Sequence, residues 1–306
     1  MSQTHRFSDF PLAFELGLTK VYRDELKQHP KHYYNWLAEY PAKHFFDTDW
    51  MNSGLGVMPS KAIGSQITVD KILNGPSKQH GMTPYAQALV IQYEVMRWDL
   101  YDVFKPVVRE LPKSAVTRYN LVAYGFLLQA FTVVDSKYKT YQSEAACLTN
   151  HTRLDAGTWS NRLAADEGLS YEAIQSALII MRKLVNERGL FVNMEPKMLE
   201  TSVDQAWLAE TYLQSTLRPG TADNDKNTLR GGLSHHCSPY LTQATYWFLF
   251  CRKGDPAHKV WMRLGDNPDL VKDQDTRTRD RIFTSYCSFE FATMNTPGMV
   301  GSTGGA

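Results

Sequence analysis

The chain has 306 residues, 43% hydrophobic and 21% charged, with a formal net charge of +1. That is length for about two domains and ample material for a core, in the composition range of a water-soluble globular protein. The near-neutral balance excludes a global electrostatic pull toward nucleic acid or an anionic membrane surface. No apolar run reaches the roughly 18 residues that span a bilayer, and the start MSQTHRFSDF does not read as a signal peptide. Cys147, Cys237, Cys251 and Cys287 are scattered without a CxxC pair, as free thiols in a reducing compartment would be. Phe, Tyr and Trp make up 12% of the chain, and large rings serve cores and protein interfaces alike.

In chain order, the first sixty or so residues read as an arm. Leu18 to Gln28 suits a short helix with Val21, Tyr22 and Leu26 on one side, ended by Pro30. Beyond it Tyr33, Tyr34, Trp36, Tyr40, Phe45, Phe46 and Trp50 alternate irregularly with prolines, lysines and histidines. So aromatic a segment is expected to wrap over its own body or over a neighbour. Asn52 to Pro59 is punctuated by glycine and reads as loop. Ile67 and Val69 alternate with Thr68 and Asp70; Asn74 to Gly81 reads as a polar turn; and Tyr85, Leu89, Ile91, Tyr93 and Val95 line one face of a return strand. A lone hairpin is marginal in water, so it is either internal or laid on another surface.

Pro106 and Pro112 predict a kinked or separate segment before Lys113, followed by one long helix. Val116, Tyr119, Ala123, Phe126, Leu127 and Ala130 form its apolar stripe, and only a narrow track of Ser114, Arg118, Gly125, Gln129 and Thr132 is polar or small. Such a helix must be covered from several directions. Tyr138 to Leu148 is a strand candidate, and Asn150 to Asn161 a turn-rich loop. Ser170 is an N-cap for a helix carrying Ile174, Ala177, Leu178, Met181, Leu184 and Val185, closed by Gly189. Met198 to Val203 reads as strand, Ser202 and Gln205 as a capping box for a helix to Leu213, and Leu217 to Asn227 as loop. Tyr246 to Cys251, Val260 to Leu264 and Ile282 to Thr293 are further strands; the tail Gly301 to Ala306 is flexible. Strands and helices are segregated without βαβ alternation, so the fold class is α+β.

Chemistry is hard to place. There is no GxxxxGK[ST] or GxGxxG between strand and helix, and Gly54-Leu-Gly56 runs into Pro59. His235 and His236 are adjacent, so on a strand they face opposite ways and do not converge on one ion, and no second cluster has zinc spacing. Ser160, Ser234 and Ser238 lack a GxSxG elbow. His151, Asp155 and His235 are the residues a hydrolase would have to use. His29, His32 and His44 read as surface histidines of the arm. No catalytic, cofactor-binding or metal residue is assigned. The run Asp273, Asp275, Arg277, Arg279, Asp280, Arg281 is either a solvated edge strand or a self-complementary surface between subunits.

Several strings, in order, resemble the major capsid proteins of tailed bacteriophages, the Hong Kong 97 fold. Asn52-Ser-Gly-Leu-Gly-Val-Met-Pro-Ser-Lys61 resembles the link from arm to extended loop. Glu94 to Asp102 resembles the strand feeding the spine helix, Thr149 to Asn161 the loop after it, and Met194 to Leu199 the first axial strand. Ser215 to Asp225, Ser238 to Thr242 and Trp247 to Phe250 are similar to strings of one branch. The resemblance implies an N-terminal arm (1–60), an extended β-hairpin loop (61–95), a peripheral domain with the spine helix (96–165 and 266–306) and an axial domain (166–265). It implies a structural protein of the virion capsid, assembled in the host cytoplasm into hexamers and pentamers of an icosahedral head. Its partners would be further copies of itself, a portal, decoration proteins and packaged double-stranded DNA held non-specifically, with no membrane and no cofactor. The arm begins almost at Met1, so a separate scaffolding protein is expected. Tyr22, Trp36, Lys71, Lys78, Tyr85, Asp275, Arg277 and Arg279 are the expected inter-subunit contacts, the last three in a loop that members place at three-fold contacts. Some members crosslink a loop lysine to an asparagine; Lys71, Lys78 and Asn295 are the nearest equivalents, though lysines are common in any exposed loop. The same fold also admits an encapsulin-like cargo compartment.

Overall fold

The structure is a computed structural model and describes residues 11–98, 104–132, 134–220 and 225–305. The first ten residues of the arm, residues 99–103 of the descending segment and residues 221–224 of the polar loop lie outside the described residues. The elements are α1 (Pro11–Gln28), β1 (Ala38–Pro41), β2 (Phe46–Asn52), β3 (Asn74–Gly81), β4 (Thr83–Ile91), α2 (Tyr93–Arg97), α3 (Phe104–Leu128), β5 (His151–Thr152) and β6 (Thr158–Trp159). They continue with α4 (Tyr171–Arg182), β7 (Pro196–Thr201), α5 (Ala206–Gln214), β8 (Ser234–Cys237), β9 (Trp247–Cys251), β10 (Lys259–Leu264), β11 (Asp269–Gln274), β12 (Arg281–Asn295) and β13 (Met299–Ser302).

Among the described residues, β12 is the centre of a five-stranded sheet. One edge of it pairs antiparallel with β11 and then β10, the other with β4, and β1 adds to β10 in parallel. Alternation explains the placement: Phe283, Cys287, Phe289 and Phe291 face one way and are buried. They meet the apolar stripe of α3, with Tyr119 on Phe289 at 4.3 Å and Phe126 on Phe291 at 4.9 Å between ring centroids. All six stripe residues from Val116 to Ala130 are buried. The expected break at Leu111–Pro112 is absent, and α3 runs through Pro112. Proline removes an amide from the ladder, but α1 packs along this part of α3 and buries Leu111 with Tyr22, so tertiary packing holds the turn together.

A four-stranded sheet, β13-β9-β7-β8, joins two cores. Every residue of β9 is buried: Phe248 and Phe250 face the α3 core, while Trp247, Leu249 and Cys251 face α4 and α5. Ser170 caps α4 as its sequence implies, its Oγ accepting from the Ala173 amide at 3.0 Å. The helix stops at Arg182, and Gly189, at φ +74°, serves the turn beyond it. Ser202 and Gln205 do not form a capping box: they donate to the carbonyls of Ala244 and Thr245. Tyr138 to Leu148 is not a strand: Tyr138 ends a 3₁₀ turn (Ser136–Tyr138), and the irregular chain after it is held by the burial of Tyr138, Tyr141 and Cys147. Gly301 and Ser302, expected in a flexible tail, are buried in β13. Strand pairing crosses the expected domain boundaries: β13 joins β9, and β10 joins β12.

The largest departure is the hairpin. Residues 67–70 form no strand, and the expected turn, Asn74 to Gly81, is itself strand β3, paired antiparallel with β2. β4 ends at Ile91, and Tyr93 onward is helix α2. The projecting ribbon is therefore β2–β3, joined by residues 53–73.

Candidate assembly surfaces

β2 is amphipathic the wrong way round. Its inward face carries Asp47 and Asp49, and its outward face carries Phe46 and Trp50, the latter 70% exposed. The acids are drawn in by Arg263 of β10, which lies 3.2 Å from Asp47 and donates to both Asp49 oxygens at 2.7 and 2.8 Å. His80 of β3 lies between Asp49 and Glu290, at 3.6 and 3.3 Å. Burial, with Lys78 and Arg263 nearby, holds its imidazole down at about 3. Lys78 donates from Nζ to the carbonyls of Lys137, Lys139 and Thr293 at 3.1, 2.6 and 3.1 Å, and burial lowers its pKa to about 8. The root of the ribbon is thus an ionic plug in its own body, and such a plug has directional bonds that fix position.

Beyond the root, residues 53–73 make an irregular strap. Ser53 and Leu73 tie its ends through two hydrogen bonds of 2.9 Å. Asp70 organises the middle, accepting from the Gly56 amide at 2.7 Å, the Lys71 amide at 2.8 Å and Arg188 at 2.8 Å. Hydrogen bonding to those two amides and to Arg188 lowers the Asp70 pKa. Leu55, Val57, Met58, Ile63, Ile67, Val69 and Ile72 all project into solvent, Met58 at 91% exposure. So many exposed aliphatic side chains within one short segment are the kind of surface that interaction sites present.

The expected contact residues separate into two groups. Tyr22 and Trp36 are corrected to core residues. Tyr22 is fully buried with its hydroxyl 2.6 Å from Ser285 Oγ, and Trp36 stacks on Phe250 at 5.0 Å. From Pro11 to Pro41 the arm folds on its own body: Trp36 completes the α3 core, and Tyr22 packs with Leu111 and Phe283. Lys78 and half-buried Tyr85, stacked on Phe289 with Arg118 above it, are engaged inside the chain. Asn295 is buried and donates to Glu187, so it offers no crosslinking amide at the surface. Lys71 remains exposed on the strap. Asp275, Arg277 and Arg279 sit at the β11–β12 tip, where Arg279 takes φ +63° and its amide bonds the Asp275 carbonyl. Sequence reading does not single out Arg263, Asp70 or Arg188; the signal it had was Asp47 and Asp49, two apart on a strand and in need of a buried cation.

The hydrolase candidates do not converge. His151 is buried against Trp159, with Glu144 and Asn161 on its two ring nitrogens at 3.0 and 2.9 Å. Asp155 pairs with Arg153, and His235 with the Thr201 hydroxyl. His236 instead bonds Glu200 on the other face, as strand alternation requires. Among the described residues no cluster of His, Cys, Asp or Glu is placed to hold a metal, and no helix is long and apolar enough to cross a membrane.

The sequence pattern of the phage capsid protein family matches residues 81–300. The chain belongs to that family. No curated protein matches it in sequence. By structure, this capsid protein is similar to the capsid of cyanophage P-SCSP1u, at TM-score 0.59 and 9% identity over 87% of this chain and 85% of that one. It is similar to a chain of Microbacterium phage Oxtober96, at 0.55 and 8%, covering 88% and 90%. The holo-SrpI encapsulin complex from Synechococcus elongatus PCC 7942 also matches, at 0.53 and 8%, covering 90% and 88%. The capsid protein therefore has the Hong Kong 97-like fold, a mixed helix and strand architecture, and its role is that of a structural shell protein of the virion.

Proposed function

We propose that this capsid protein closes an icosahedral head of hexamers and pentamers around double-stranded DNA, each copy laying its β2–β3 ribbon and strap over the next. The observation that carries this reading is the inverted ribbon, with charge plugged inward and aromatic and aliphatic side chains turned out. A free-standing chain gains nothing from that polarity, because burying those side chains is worth roughly 1.5–3 kcal/mol each. A sister copy supplies the cover. The Asp275–Arg279 tip and Lys71 are the further contacts we assign to neighbouring copies. The expected arm, extended-loop, peripheral and axial divisions carry over with the loop taken as the β2–β3 ribbon and its strap and with β4 left in the body sheet, and assembly proceeds in the host cytoplasm beside a scaffolding protein and a portal.

The encapsulin likeness keeps one alternative in view, a shell holding enzyme cargo. Expression with and without a co-expressed scaffolding protein, followed by size-exclusion chromatography and negative-stain imaging, tests the proposal. Shells, capsomers or tubes are expected. Monomers alone under both conditions contradict it, and closed shells that fill with a co-expressed enzyme rather than DNA favour the alternative.

A further inference from the structure

The unit built on the four-stranded sheet carries two exposed apolar surfaces of opposite charge. On α5, Ala209 and Leu213 are buried while Trp207 stands 82% exposed beside Val203 and Leu208. Asp204 and Glu210, one turn to either side of Trp207, are also exposed, so the patch is rimmed by acid. On α4, Ala173, Ile174, Ala177 and Met181 are buried, and Ile179 emerges with Arg182 and Lys183 three and four residues on. The turn after α4 folds back through the Val185–Phe191 bridge and leaves Phe191 75% exposed. Exposed Arg182 and Lys183 lie in the chain between these two apolar side chains, so this second surface is basic.

The two patches lie on different parts of the unit. α4 packs over β13, β9 and β7, and α5 packs on β8, the opposite end of the strand order. One molecule cannot bring them together. A contact between unlike patches on successive copies is heterologous, and a heterologous contact repeats into a ring when its rotation closes. Apolar centres with charged rims of opposite sign give such a contact both affinity and register, and an exposed tryptophan is the residue type most often found at its energetic centre.

We infer that the Trp207 patch on α5 of one copy docks on the Ile179–Phe191 patch of a second copy, α5 acid against α4 base. The inference rests on the shell reading above and names a contact made by α4 and α5, beside the strap that Arg188 of the same turn holds. Its test mixes two variants, Asp204→Cys and Lys183→Cys, under assembly conditions and mild oxidation, with the native chain as control for Cys237. A disulfide-linked dimer is expected only in the mixture. In parallel, Trp207→Ala is expected to lower the assembled fraction at least 10-fold with an unchanged circular dichroism spectrum. The double reversal Arg182→Glu/Lys183→Glu is expected to lower it likewise, and to be rescued by mixing with Asp204→Lys/Glu210→Lys. Assemblies that form at native yield from Trp207→Ala, or that give no crosslink in the mixture, overturn the contact while leaving the shell intact. A native chain that never associates overturns the shell reading itself, and the contact with it.

Discussion

Tyr22 and Trp36 show how single side chains decide what the arm does. Tyr22 is buried among Ile91, Leu111, Leu270 and Phe283 and spends its hydroxyl on Ser285. Tyr22→Phe should cost about 1 kcal/mol, one buried hydrogen bond. Trp36→Ala should cost about 3–5 kcal/mol, the loss of a large ring from a core; chemical denaturation of the folded chain measures both. His258 is a different kind of residue. It is buried, neither ring nitrogen has a hydrogen-bond partner among the described residues, and burial lowers its pKa from 6.5 to about 4. Between those values the unfolded chain binds the proton and the folded chain does not, so stability falls as the pH drops from 6.5 toward 4. The full effect is about 3 kcal/mol. Urea titrations at pH 7 and pH 4.5 should therefore show a smaller acid loss in His258→Leu than in the native chain; equal losses would place the acid sensitivity elsewhere.

At the scale of elements, the strap and its ribbon obey different rules from the rest. β3 reads Asn-Gly-Pro-Ser-Lys-Gln-His-Gly, eight residues with almost no strand propensity, and so reads as turn in the sequence. It is strand because β2 pairs with it and because Lys78 and His80 are plugged into the body beneath. Both causes are non-local, and no window of sequence contains them. By contrast Ser170 before α4 and the two-residue period of β12 are local signals, and each element formed where its signal lay. The α3 stripe was legible for the same reason, whereas its continuation through Pro112 depended on α1, ninety or so residues away. Among the contact residues, Lys71 and the Asp275–Arg279 tip emerge at the surface, while Tyr22 and Trp36 were hidden by partners that sequence alone does not reveal. The strap gives its own prediction. Asp70→Ala removes the acceptor for the Gly56 and Lys71 amides and the ion pair to Arg188. Because the Asp70 carboxylate is exposed, the urea midpoint of global unfolding should hardly move, while the Gly56 and Lys71 amides exchange faster with deuterium through local opening. Slow exchange at both amides in that variant would show that Asp70 does not organise the strap.

For the whole molecule, the arrangement is a body that is closed on itself and a ribbon that is not. Two cores share β9, the arm seals α3, and the ionic plug fixes the ribbon's root, so the exposed strap is not a consequence of a loose fold. The family and the fold make the chain a capsid subunit; the polarity of β2 and the exposed strap are what the proposed overlap of neighbouring copies rests on. Replacing Leu55, Met58 and Ile63 together by Ser should leave the thermal midpoint of the isolated subunit within about 2 °C and abolish shells in electron micrographs. Hydrogen–deuterium exchange across residues 53–73, compared between isolated subunits and purified assemblies, tests the cover directly. Fast exchange in the subunit and strong protection in the assembly are expected; the same fast exchange in both would mean that no sister copy covers the strap.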